Sequence, residues 1–240
     1  MHPSAVHYIP ILTTCLALTF AGVLFRRHRA RGGTHLLWWG IGMLTYAAGT
    51  ITESATTLFG WHEPVFRLSY ITGALLGGAP LAQGTVYLML SRRTANRLTV
   101  ALVTVIVVGA ALVWASPIRP ELVEAHRLSG QVLGWTWVRM ISPFINTYAL
   151  VFLMGGAIVS AVRYARKTET RQRALANVYI AVGALLPGIG GTFTRLGHVE
   201  VLYVTEFLGL ALIAMGYRLS IAAGNAGPSI HPAQQASATA

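Results

Sequence analysis

The chain has 240 residues, 54% of them hydrophobic and only 10% charged, with a formal charge of +11 and a mean hydropathy of +0.58. So few charges cannot cover a soluble globule, and the apolar excess asks for a bilayer as its solvent. The positive charge does not read as a nucleic-acid surface, because the arginines stand in short runs between apolar segments and form no single patch.

The first apolar run covers residues 6–25, close to the length that crosses about 30 Å of hydrocarbon, and it ends at Arg26, Arg27, Arg29 and Arg31. No Lys or Arg precedes it, so it reads as a retained span and not as a cleaved secretory signal. Cys15, the single cysteine, lies inside it, which leaves no intrachain disulfide to form. Further spans follow at 36–59, 68–90, 98–115, 141–162, 174–193 and 199–217. These define an all-α fold, a seven-transmembrane helical bundle over residues 1–222. Residues 223–240 are small, polar and proline-containing, and are expected to be a disordered tail too short to form an output domain.

Loop charges set the orientation. The first, third and fifth connections hold Arg26, Arg27, Arg29 and Arg31, then Arg92, Arg93 and Arg97, then Arg163, Arg166, Lys167, Arg171 and Arg173. The other side holds only Arg67, Arg119, Arg127, Arg139 and Arg195. By the positive-inside rule the N-terminus is outside and the C-terminus cytoplasmic, in a multi-pass protein of the bacterial inner membrane. The arginine loops are also points of contact for anionic lipid. The longest connection, 116–139, carries Pro117, Pro120, Trp135 and Trp137, and reads as an irregular outer cap with an interfacial aromatic pair.

Counting depth from the span ends selects the candidate site. Glu53 falls about eight residues, or about 12 Å, below the outer surface on the second span, and Glu206 on the seventh lies at a similar level. Asn146 on the fifth span shares that layer. Tyr46, Thr50, Glu53 and Thr57 recur at helical spacing, Tyr203 precedes Glu206 by one turn, and Ser142 precedes Asn146 by one turn. Carboxylates within a membrane are costly and mark binding sites or proton paths, although polar side chains also serve as interhelical hydrogen-bonding glue. The expected site is an outer polar cavity lined by Glu53, Glu206, Asn146, Tyr203 and Tyr70, with Arg67 or Arg195 available to neutralise a carboxylate. If the two glutamates share one dry site, the pair is expected to hold a proton between them.

The third span contains Gly73, Gly77 and Pro80, and the sixth contains the run Pro187-Gly188-Ile189-Gly190-Gly191. Both places are expected to weaken the helix, the sixth by kinking or unwinding. Gln83 reads as packing glue.

Enzyme and cofactor chemistry finds no purchase. His7, His62, His126 and His198 fall on the outer side without metal-ligand spacing, and no histidine pair sits deep in facing spans as a haem would require. The only lysine, Lys167, lies in a loop, which excludes a retinal Schiff base within the membrane. There is no aspartate and no H-E-x-x-H, G-x-S-x-G or G-x-x-x-x-G-K-[ST] motif. No catalytic residue, metal or cofactor is expected.

The end of the third span, Leu81-Ala82-Gln83-Gly84-Thr85-Val86-Tyr87-Leu88-Met89-Leu90-Ser91-Arg92-Arg93, together with Leu186-Pro187 and Glu206-Phe207-Leu208-Gly209, resembles uncharacterised bacterial seven-transmembrane proteins. It is more distantly similar to the seven-helix sensor modules of bacterial histidine kinases. That resemblance implies a receptor-like module that binds a small ligand and acts through a membrane or cytoplasmic protein partner. The alternatives are a proton- or cation-coupled transporter and an accessory subunit of a membrane complex. The odd helix number, with no inverted repeat, counts against the common transporter folds.

Overall fold

The computed structural model describes residues 5–125, 128–166 and 171–225, without the side chains of Arg195 and Asn225. His126, Arg127, Lys167 and the tail from residue 226 therefore lie outside the described residues. The described chain is built of long helical rods: α1 (Ala5–Arg31), α2 (Thr34–Phe59), α3 (Glu63–Met89), α4 (Arg92–Ala115), α5 (Thr136–Ala165), α6 (Arg171–Arg195) and α7 (Val199–Asn225).

Six of these rods are long and apolar enough to cross a membrane, and α2 is not among them. On this measure six of the seven expected spans qualify. The reason is composition: α2 carries Thr45, Thr50, Thr52, Glu53, Ser54, Thr56 and Thr57, and it buries Thr50, Thr52 and Thr56. A helix packed by protein on several sides can be polar, since its polar groups meet other helices before they meet lipid.

Most helices also run past the predicted spans, α1 to Arg31 where 25 was expected and α4 from Arg92 where 98 was expected. Arginine is a good helix former whose stem lies along apolar surface, so apolarity ends before helicity does. Ser91 caps the start of α4, its hydroxyl accepting from the Thr94 N–H at 3.3 Å.

Neighbour packing closes a ring in the order α1, α2, α3, α5, α6, α7 and back to α1, with α4 leaning on the outside of α3. Of the six apolar rods α4 is the most hydropathic and the least buried, as an outlying helix should be. Ala17, Phe20, Leu24, Met43, Ala47, Leu81, Leu210 and Tyr217 form a core between α1, α2, α3 and α7 toward the arginine-rich end. At the opposite end Phe66, Tyr70, Val113, Val132, Leu133 and Val138 gather under the connection between α4 and α5. There Trp135 and Trp137 stack with ring centres 6.1 Å apart.

The α3 rod is discontinuous. A π-helical stretch covers Tyr70–Leu76, the chain turns at Gly77 (φ 46°), and α-helix resumes at Ala79 with Pro80 in its first turn. Pro80 thus starts a helical segment, where its missing N–H costs nothing.

The expected unwinding of α6 does not occur: Pro187 sits inside an unbroken helix. Having no N–H, it leaves the Gly183 carbonyl without its helical donor, and α7 packs onto that carbonyl at Gly209. A Cβ on Gly209 would stand 2.6 Å from Gly183 O and 3.0 Å from the Pro187 ring. Likewise a Cβ on Gly216 would stand 2.5 Å from Ala176 O. The two helices approach backbone to backbone along a seam of glycines, and this support accompanies an α6 that stays helical through Pro187.

Gln83 is fully buried and fully bonded. Its Nε2 donates to Ala95 O (3.1 Å) and Thr99 Oγ1 (2.7 Å), and the Tyr148 hydroxyl donates to its Oε1. One side chain therefore ties α3 to α4 and α5. At about 0.6 kcal/mol per interhelical bond, Gln83→Leu is expected to cost about 2 kcal/mol in equilibrium unfolding in detergent. A loss below about 0.5 kcal/mol would show that this network is incidental.

Candidate functional site

Two helices far apart in sequence bring their glutamates together. On α2, Tyr46, Glu53 and Thr57 point across the bundle, and on α7 Tyr203 and Glu206 meet them. The Glu53 and Glu206 carboxyls are brought into each other's immediate surroundings. Tyr46 Oη donates to the Glu206 backbone carbonyl at 3.1 Å, and the Tyr203 hydroxyl lies close to the Thr57 side chain. Tyr203 is only 4% exposed. Close backbone approach joins α1 to α2 and α6 to α7, whereas α2 and α7 meet through these long polar side chains.

The stems of both glutamates are half-buried, yet Oε2 of each is sealed from solvent and has no hydrogen-bond partner among the described residues. Orphaned buried oxygens of this kind call for an explanation, because each forgoes its hydration. Two carboxylates side by side in a buried site repel each other, and a bound proton or cation relieves that repulsion. Among the described residues neither glutamate has an ion-pair partner. The arrangement suits a proton, a small metal cation or an ammonium group, each of which would satisfy the free oxygens.

At the start of α7, His7 Nε2 stands 3.9 Å from Glu200 Oε1, and the His7 ring meets Tyr203 edge-on with centres 6.1 Å apart. Sequence reading did not single out Glu200. Its position six residues before Glu206, on the face that also bears Tyr203, is the signal that could have found it.

The other predicted site residues are placed elsewhere. Asn146 is exposed, and its Nδ2 donates to Ala74 O at 3.2 Å, serving a carbonyl next to the break in α3. A Cβ on Gly77 would lie 2.6 Å from Asn146 Oδ1, so the amide nests against the turn itself. Tyr70 belongs to the cap cluster, with its hydroxyl 3.4 Å from Ser142 Oγ. Arg67 is 7% exposed and bonds Glu63 Oε1 through Nε (2.9 Å) and Nη2 (2.7 Å). It also donates to the carbonyls of Val113 and Ser116 (2.9 Å to the latter), at the C-terminus of α4. Arg67 is committed to Glu63 and to capping α4, and is not free to serve Glu53 or Glu206. The side chain of Arg195 lies outside the described residues.

Thr50, which shares the spacing of Glu53, turns instead to α1, with its hydroxyl 2.7 Å from that of Thr14. The one polar layer expected from depth therefore separates into an acid pair between α2 and α7, an amide at the α3 break, and an arginine cap. Among the described residues no three His, Cys, Asp or Glu side chains gather closely enough to hold a metal ion. Comparisons with protein-family models, curated proteins and solved structures return no match for this chain.

Proposed function

We propose that this is a receptor-like sensory module of the bacterial inner membrane, N-terminus outside, whose Glu53–Glu206 site binds a small cationic ligand. The observation that carries the reading is the neighbouring pair of glutamates between α2 and α7, each with an Oε2 that is sealed from solvent and has no hydrogen-bond partner among the described residues. A cation seated there replaces a bound proton and draws the two helices together. Because α7 is locked to α6 along the glycine seam, the α6–α7 hairpin moves as one body relative to α2, and that shift reaches a protein partner at the arginine-rich end. Tyr203, close to Thr57, holds the outer lip of the site.

A second reading, cation- or proton-coupled transport, draws support from the interrupted α3 rod, since broken helices and π segments recur where membrane proteins bind and move substrates. The accessory-subunit reading has no structural feature that favours it over these.

Thermal unfolding of purified protein, titrated with sodium, potassium, calcium and alkylammonium ions at several pH values, tests the site. A ligand that binds the folded state at one hundred times its dissociation constant stabilises by about 2.7 kcal/mol. The wild type is expected to shift with at least one of these cations, and Glu53→Gln and Glu206→Gln to lose the shift. If no cation shifts the wild type, or the variants respond as it does, the reading fails. Cation flux into proteoliposomes that vanishes in Glu53→Gln would replace the receptor by the transporter.

A further inference from the structure

A groove between α1 and α7 combines an apolar floor with a basic end. Leu16, Phe20 and Val23 of α1 face Ala211, Ala214 and Met215 of α7 across a space of about 290 Å³. Both helices are among the six apolar enough to span a membrane, so the groove opens onto lipid. Tyr217 and Arg218 line it as well, and Arg27 brings its guanidinium carbon to 5.8 Å from the centre of the Tyr217 ring.

Three polar groups gather at this end. Tyr217 is 9% exposed, and its hydroxyl is buried with no hydrogen-bond partner among the described residues. Arg27 and Arg218 have no carboxylate within ion-pairing distance among the described residues. Two guanidinium groups and an idle hydroxyl donor match a phosphodiester, whose oxygens accept forked N–H donors. The apolar trough below them matches an acyl chain. A soluble phosphate would leave that trough empty. A zwitterionic lipid brings its own cation against two arginines, whereas an anionic lipid leaves its charge free for them.

We infer that the α1–α7 groove is a binding site for one anionic phospholipid, with an acyl chain along Leu16, Phe20 and Ala214 and its phosphate held by Arg27, Arg218 and the Tyr217 hydroxyl. The lipid lies beside the contact of Phe20 with Tyr217, whose rings lie 5.3 Å apart.

Native mass spectrometry of the full chain, with phosphatidylglycerol or phosphatidylcholine of identical acyl chains, reads the bound lipid directly. Wild type is expected to retain one phosphatidylglycerol at about tenfold lower lipid concentration than phosphatidylcholine, about what one or two nearby arginines supply. Arg27→Gln with Arg218→Gln should abolish that preference, and Tyr217→Phe should weaken it a few-fold. Ala214→Phe, which fills the trough with both arginines in place, should lose the retained lipid altogether. Arg92→Gln with Arg93→Gln, which removes equal charge at the start of α4, should leave the preference intact. Equal retention of the two lipids by wild type overturns the site. So does a preference that survives both the arginine pair and Ala214→Phe, or one that falls equally with Arg92 and Arg93. Circular dichroism verifies that each variant keeps wild-type helix content, and Tyr217→Phe, the mildest change, decides the matter if the arginine double variant does not fold.

Discussion

Arg67→Met is expected to lower stability by about 3 kcal/mol, among the largest single effects in the molecule. Its guanidinium serves the Val113 and Ser116 carbonyls, and these belong to the last turn of α4, where no helical donor remains. Methionine replaces the stem but leaves two buried acceptors unsatisfied, each at a cost of about 1–3 kcal/mol. A positive charge at a helix C-terminus is lost at the same time. The ion pair itself is the smaller part. The Glu63 side chain is half exposed, so Glu63→Gln should cost only about 0.5 kcal/mol. Equilibrium unfolding in detergent checks both variants. Equal losses in the two would mean that the ion pair, and not the cap, is what Arg67 supplies.

Gly209→Leu should be as severe, for a steric reason. The first added carbon already meets the Gly183 carbonyl at 2.6 Å, and backbone cannot yield as a side chain can. Separating α6 from α7 is the only relief, and overpacking of this kind costs about 1–3 kcal/mol even for small insertions. Gly209→Ala is therefore expected to cost about 2 kcal/mol and Gly209→Leu more, read as a fall in the unfolding midpoint. The adjacent run supplies an internal control. Gly188 and Gly191 meet nothing within 4 Å, so Gly188→Ala and Gly191→Ala should be neutral or stabilise by up to about 1 kcal/mol through helix propensity. If Gly188→Ala damages the protein as Gly209→Ala does, close approach is not the reason for the seam.

These two cases show where sequence reading stops. Apolar runs and arginine clusters mark the rods, because the bilayer imposes length and the arginines its edges; only their ends are misjudged, as at Arg31 and Arg92. The depth count puts Glu53 and Glu206 in one layer, and the structure brings their carboxyls into each other's immediate surroundings. The same count gives Asn146 equal standing, yet that amide turns to the α3 break, since depth fixes a level and says nothing about which way round the ring a side chain faces. Arg67 looked like a free cation near the outer mouth. Its partners are backbone carbonyls of α4, and a carbonyl is the one acceptor that no residue letter reveals. The glycines at 183, 209 and 216 are plain in the sequence, but which helix each one admits depends on the order of the ring. Pro187 shows the same limit, for its missing N–H predicts unwinding only while the facing helix is unknown.

The pairing of α2 with α7 also bears on how the protein is made. A ribosome delivers α2 to the bilayer while α7 is still unsynthesised, so the Glu53 carboxyl must wait without the partner it finally has. During that interval its cheapest state is uncharged or turned toward headgroup water. The α6–α7 hairpin then arrives with its own backbone contacts complete along the glycines, carrying Glu206 on its flank. Only the docking of that hairpin brings the two acids together, and so this pairing is among the last to form. The acid pair thereby stitches an early-inserted helix to one that is made much later.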